Sequence, residues 1–248
     1  MIQVYHIARK EFRDYFTSTI GYVFLTLILF VTGFSFYGAF QYYAQISSQQ
    51  AMNPMMGTLP SFTEVVFGSV IHLFAVIALF ISPMLTMRLI AEERRQHTLE
   101  LLMTSPVSSG EIVLGKFLGS FGFFTVSLVL TLHYPILMSQ IGSPDLGPIA
   151  TSYLGTLLVG GACIAVGLLV SSMTRHQIAA AAAAFILLLV MWIIDWVDVD
   201  FLSKLSLSKQ YEGFVEGYVR SESIVYFLSV IVFFLFATQQ RLEAMRRQ

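Results

Sequence analysis

The sequence predicts an all-α membrane protein. It has six transmembrane helices, an N-terminal amphipathic helix at the membrane surface, a helix in the cytoplasmic loop between spans two and three, and an amphipathic outer loop between spans five and six. Three observations predict this. Of 248 residues 56% are hydrophobic and only 12% are charged, about half the charged share of a soluble domain. Mean hydropathy is +0.74. Six apolar runs approach or exceed the roughly 20 helical residues that a bilayer core of about 30 Å requires. The same composition excludes a disordered chain and an ordinary soluble enzyme. A net charge of −1 gives no basic excess, so nucleic acid is not an expected partner. The lone cysteine, Cys163, can form neither an internal disulfide nor a zinc spacing.

Residues 1–19 come first. Ile2, Tyr5, Ala8 or Arg9, Phe12, Tyr15 and Phe16 recur at helical spacing, with Arg9, Lys10, Arg13 and Asp14 between them. That pattern predicts an interfacial helix with aromatic anchors that feeds into span one. A cleaved signal peptide fits badly: the polar leader is long, holds Glu11 and Asp14, and no Ala-x-Ala site follows the apolar run. The spans themselves read Ile20–Phe40, Val65–Leu85, Ile112–Met138, Ile149–Val170, Ile178–Val197 and Ser223–Thr238. Lipid offers no partner for backbone polar groups, so these are helices. Ser61 with Glu64, and Ser108 with Glu111, each have the Ser-x-x-Glu spacing of a capping box, at the starts of spans two and three. Pro83 and Pro135 should kink the same two spans.

Small residues mark expected packing faces: Gly115 and Gly119 in span three, Gly155, Gly160, Gly161 and Gly167 in span four, and the run Ala179–Ala184 in span five. Eleven Lys and Arg residues fall on the side of both termini and only Lys204, Lys209 and Arg220 on the other. The positive-inside rule then puts both termini in the cytoplasm. Residues 198–222 form the long outer loop. Its Phe201, Leu205, Leu207, Tyr211, Phe214, Val215 and Tyr218 suggest short amphipathic helices that return to cap the outer span ends. The whole chain, 1–248, reads as one transmembrane domain.

Few residues could carry chemistry. Gly110–Lys116 satisfies GxxxxGK, but Phe117 stands where a phosphate loop needs Ser or Thr, and no strand precedes it. Lys116 is expected at the cytoplasmic lipid interface. His72 and His133 fall inside spans two and three, where an ionisable residue is either packed and hydrogen-bonded or lines a substrate path. Asp195, close to Asp198 and Asp200, reads as a solvated rim or a cation site.

The segment 86–111 is the most informative. Span two should run on as a charged helix through Glu92, Glu93, Arg94 and Arg95. A second short helix follows, Thr98 to Met103, bearing Leu99, Leu101 and Leu102, and Pro106 begins a turn. This is either a solvated hairpin or a docking helix, and three leucines in a loop need a surface to bury against.

Ala91-Glu92-Glu93-Arg94-Arg95, Thr98-Leu99-Glu100-Leu101-Leu102, Ser105-Pro106-Val107-Ser108 and Glu111-Ile112-Val113-Leu114-Gly115-Lys116 together resemble the signature of the ABC-2 family of permease subunits. So do Leu85-Thr86-Met87-Arg88 and the segment from Ser206 through Tyr211, Phe214 and Gly217 to Tyr226-Phe227-Leu228. The resemblance spans essentially the whole chain. Within the family it resembles the gliding-motility-associated permeases and, next to them, the nitrous-oxide-reductase maturation permeases. His97 stands where the family usually has Gly, and Gln210-Tyr211 where it commonly has His-Phe.

What the resemblance implies is a permease subunit in the bacterial inner membrane, paired with a second permease subunit and with separate ABC ATPase subunits. ATP and magnesium would be bound on those partners, with no cofactor or catalytic residue on this chain. An accessory envelope protein and membrane lipids are further expected partners. Glu92, Glu93, Arg94, Arg95, Thr98, Glu100, Leu101, Leu102 and Pro106 would form the element that sits in a cleft of the ATPase. Its push would work an interface at spans two and five. An alternative is a membrane anchor that passes ATPase-driven force to envelope or motility machinery without transport; an enzyme built on His72, His133 or Asp195 is a third, and lacks a nucleophile–base pair.

Overall fold

The computed structural model describes residues 2–52, 59–96, 107–197 and 199–246. All regular elements among them are helical. α1 (Ile2–Thr17) is followed after one residue by α2 (Thr19–Met52). A π-helical turn, Thr63–Gly68, opens into α3 (Ser69–Thr86), and α4 (Ala91–Arg95) follows a four-residue break. α5 (Ser109–Val129) passes through a 3₁₀ turn, Leu130–Leu132, into α6 (His133–Ile141). Then come α7 (Leu146–Met173), α8 (Gln177–Ile193), the short α9 (Asp200–Ser203), α10 (Leu207–Val215) and α11 (Ser221–Arg246). Six helical stretches are long and apolar enough to cross a membrane: Thr19–Met52, Thr63–Arg95, Ser109–Ile141, Leu146–Met173, Gln177–Trp196 and Ser221–Arg246. They fall where the hydropathy of the sequence places them, with the first and last running well past the expected limits.

α7 is the central helix. Its apolar stretch is 78% buried, against 17% for α2 and α8 and 22% for α11. It packs against α3, α5, α8 and α11. Glycines make that centrality possible, because a Cβ on Gly160 would overlap the Phe124 ring of α5 and one on Gly167 would overlap Thr86 of α3. In lipid the solvophobic drive between helices is absent, so close backbone approach supplies the contact energy. Val159, Cys163 and Val166 fill one side of α7 and Ile164, Ala165 and Leu168 the other, all fully buried. In α8 only Ala180, Ala184 and Leu188 turn inward; the rest of the alanine run is open or half-open.

The two ends of the bundle differ. At one end lie α1, α4, the start of α5 and the end of α11, with Arg246 Nη1 donating to Val107 O at 3.4 Å. The start of α1 and the end of α11 therefore share the end at which α4 lies and α5 begins. Most of the cations lie here, and we call it the basic end. At the far end, α10 lies across the span ends with Leu207, Tyr211 and Phe214 fully buried. Gly217, at φ +91°, makes the tight turn that follows it, a conformation glycine adopts without steric cost.

Several expectations are corrected in detail. The Ser108–Glu111 capping box forms as read, but no side-chain cap bond starts span two, and Glu64 is exposed. That span begins instead with the π turn, whose wider ring leaves Ser61 off the capping position. α3 continues through Pro83 and breaks only at 87–90, so the charged helix is a separate element rather than an extension. The 3₁₀ turn just before Pro135 does interrupt span three, as the missing N–H of that proline requires. In α1 the inward stripe is Val4, Ile7, Ala8, Glu11, Phe12 and Tyr15, while Ile2 and Tyr5 face out. The glycines of α5 set that rotation, as described next.

Candidate functional site: the charged clamp at the basic end

Gly115 and Gly119 of α5 do not face another span. A Cβ on Gly115 would stand 2.7 Å from the Ile7 side chain, and one on Gly119 2.7 Å from Glu11 Cβ and 2.8 Å from Ala8 O. The glycine groove therefore receives α1 itself. Between the two glycines stands Lys116, 1% exposed. Its Nζ donates to Glu11 Oε1 of α1 at 2.8 Å and to Glu93 Oε1 of α4 at 2.7 Å. The lysine expected at the lipid interface is thus a buried hub joining three elements. An ammonium taken from water costs several kcal/mol unless charged partners replace the solvent, and here two carboxylates do so.

A second bond fixes the same elements. The Tyr15 hydroxyl donates to Leu85 O at 3.0 Å and lies 3.0 Å from Ser120 Oγ. Burial pushes this phenol above its ordinary range, so it stays a neutral donor. Its ring stacks on Phe123 with centroids 4.8 Å apart. α1 is in this way tied to the last turn of α3 and the first turns of α5, the two helices that flank the 87–111 segment.

α4 is held from the other side by α7. Ser171 Oγ accepts from the backbone N–H groups of Ile90 and Ala91 at 3.2 and 3.1 Å and donates to Met87 O at 3.1 Å. One hydroxyl thus satisfies the backbone groups freed by the break at 87–90. Arg94 Nη1 donates to Ser172 O at 2.8 Å. Glu92 accepts from Arg95 at 3.1 Å, from Gln96 at 2.7 Å and from Gln177 at the start of α8. Leu89, Ile90 and Ala91 are buried beneath. Between α1, α4 and α5 a cleft of about 560 Å³ opens, with Lys10, Asp14 and Arg88 at its walls beside the Glu11–Lys116–Glu93 cluster.

Of the residues predicted for coupling, Glu92, Glu93, Arg94 and Arg95 are brought together here. Thr98, Glu100, Leu101, Leu102 and Pro106 lie outside the described residues. His72 and His133 are in different surroundings. The His72 ring lies 6.0 Å from Trp192 and 6.3 Å from Tyr211, while His133 Nδ1 is 2.7 Å from Leu130 O of the 3₁₀ turn before it. Asp195 is not simply a solvated rim. Its Oδ1 accepts from Ser206 and Ser208 at 3.0 and 3.1 Å, which anchors the start of α10. Among the described residues no group of three or more His, Cys, Asp or Glu could hold a metal ion.

Sequence reasoning missed Lys116, Glu11, Tyr15 and Ser171 as members of the site. A signal existed for Lys116: a charge bracketed by two glycines of a close-packing motif has no room to point into lipid. None marked Ser171, because a buried serine in a small-residue helix looks like its neighbours.

The arrangement is chemically a joint of ion pairs and hydrogen bonds. It links the base of one loop to a surface helix by charge and to the central span by hydrogen bonds. The sequence model of one family, described as ABC-2 family transporter protein, matches residues 5–246. No curated protein matches the chain. The match runs from α1 to the end of α11 and takes in the clamp, all six spans and α10; the chain belongs to the ABC-2 family of transporter proteins.

Proposed function

We propose that this chain, a permease subunit of an ABC transporter, receives the stroke of a separate ABC ATPase on its 86–111 segment and passes it to the bundle through the charged clamp. The observation that carries this is Lys116 buried between Glu11 and Glu93. Any displacement of α4 must move or break a bond to α1, and the bonds of Ser171 and Arg94 carry the same displacement into α7. Glu92, Glu93, Arg94 and Arg95 then form the inner part of the coupling element, and Thr98, Glu100, Leu101, Leu102 and Pro106 its docking tip. ATP and magnesium would be bound on the partner. The basic end faces the cytoplasm, as its cations favour, and the membrane is a bacterial inner membrane.

A second permease subunit would pair along α3 and α8. Phe80 and Met84 of α3 and Ile186 of α8 form an exposed apolar face there, with Phe80 packed on Phe185. The direction is export. Few charges line the spans, so a bulky amphipathic or lipid-linked cargo suits them; His72 and His133 would meet it at two separate places.

One observation favours the alternative of force transmission without transport. α2 has 34 residues, about 51 Å of helix, against a bilayer core of about 30 Å. Ordinary tilt takes up only a few Å. Its last turns, through Tyr42 and Met52, therefore project from the far side, where an accessory envelope protein could be driven.

The test is co-purification from detergent-solubilised native membranes with scoring of ATP turnover. An ABC ATPase arriving in stoichiometric amount supports the reading, and its loss in Leu101→Asp/Leu102→Asp, with the spans still inserted, assigns docking to the loop. Unchanged co-purification of that variant removes the docking role. Movement of cargo in vesicles separates transport from force transmission.

A further inference from the structure

The elbow between α1 and α2 carries a second feature, which shares Lys10 and Asp14 with the walls of the clamp's cleft. Only Ser18 separates the two helices. The corner is fixed, because Gly21 N–H donates to Ser18 O at 3.1 Å, Ile20 N–H donates to Ser18 Oγ at 3.3 Å, and Gly21 lies against the Tyr15 carbonyl with no room for a Cβ. On its outer side two hollows meet. One, of about 470 Å³, is lined by His6, Arg9, Lys10, Arg13, Asp14 and Thr17. The other, of about 770 Å³, runs from Thr17 and Thr19 along Tyr22, Val23, Leu27 and Phe30. Thr17 lines both.

Arg9, Lys10 and Arg13 have no ion pair with any described residue. Three free cations against one carboxylate leave a net positive hollow. The adjoining groove is wholly uncharged, and its Phe30 is 73% exposed. A ligand that satisfies both halves has an anionic head and an apolar tail, joined at the level where the chain turns from the surface helix into a span.

We propose that this elbow binds an anionic phospholipid, with its phosphodiester on Arg9, Lys10 and Arg13 and an acyl chain along Tyr22, Val23, Leu27 and Phe30. The inference goes beyond ATPase coupling and rests only on insertion of α2. Such a lipid would anchor the outer face of α1 while Lys116 holds its inner face, so the clamp would be set against a fixed support. Each cation near an anionic headgroup contributes roughly a five-fold change in binding.

The test is native mass spectrometry of the full-length chain in neutral detergent, titrated with phosphatidylglycerol and phosphatidylcholine of equal chain length. The wild type should retain phosphatidylglycerol preferentially, and Arg9→Gln/Lys10→Gln/Arg13→Gln should bind both lipids alike. The charge-conserving Arg9→Lys/Arg13→Lys should keep the preference, which guards against a variant that merely misfolds. Lys204→Gln/Lys209→Gln at the far end should change nothing. Preference surviving the triple substitution, or lost equally in the far-end variant, would overturn the site. Displacement of the lipid by millimolar glycerol phosphate would identify a free phosphoester as the ligand and overturn the lipid assignment. ATPase, turnover and cargo do not enter, so the outcome is independent of the coupling reading.

Discussion

Two short amphipathic helices close the two ends of this molecule, α1 packed along the first turns of α5 at the basic end and α10 packed on α7 at the far end, and the interactions that dominate in each differ. α10 is fastened by shape. Phe214 fills the space left by Gly155 and meets Phe227 with ring centroids 6.3 Å apart. The Tyr211 hydroxyl lies 2.8 Å from Thr156 Oγ1 and donates to Ile71 O at 3.2 Å, and burial raises its pKa above the usual phenol range. α1 is fastened by charge, at one lysine shared between two carboxylates. Packing is short-ranged and has no sign, so a lid made of it stays shut or comes apart. A buried charge cluster has few good geometries and is costly to break.

The comparison is broken most severely at Lys116. Lys116→Met removes the buried ammonium that Glu11 and Glu93 both accept from, and about 3–5 kcal/mol of stability should be lost, read as a drop in the thermal transition of the purified chain. Adding Glu11→Gln and Glu93→Gln to that variant should restore most of it, since a neutral cluster no longer buries charge. At the far end Phe214→Ala should cost about 3 kcal/mol in the same melt, and no polar partner change should rescue it. Tyr211→Phe removes only a hydroxyl and should cost about 1 kcal/mol; a neutral melt would show that Thr156 and Ile71 are satisfied without it. The smallest effect is expected at the basic surface. Arg95 is 60% exposed in its pair with Glu92, and Arg95→Gln should shift stability by less than about 0.5 kcal/mol.

The span plan was legible because twenty-residue apolar runs have few other uses. The packing face of α7 was legible too, through Gly155, Gly160, Gly161 and Gly167, though not its central place in the bundle. The rotation of α1 was not. Read alone, its aromatics define one face through Ile2 and Tyr5; in the structure α5 selects another, since only the Ile7–Ala8–Glu11 stripe fits over Gly115 and Gly119. An amphipathic pattern weighs hydrophobicity, and here the decisive interaction was a glutamate with a lysine 105 residues away. The two Ser-x-x-Glu sequences make the same point. Ser108 caps because its backbone is extended, with ψ 150°. The Phe62 backbone that precedes the second span is already helical, so the Ser61 motif goes unused. Asp195 looked solvated because nothing near it in sequence reveals that Ser206 and Ser208 turn back to it.

The most direct test of the clamp as transmitter uses the neutral triple variant, Lys116→Met/Glu11→Gln/Glu93→Gln, purified with its ATPase. The account predicts that the ATPase still co-purifies in wild-type proportion and the helices stay folded, while ATP turnover falls to that of the ATPase alone. Turnover in the triple variant equal to that of the wild-type complex would contradict it.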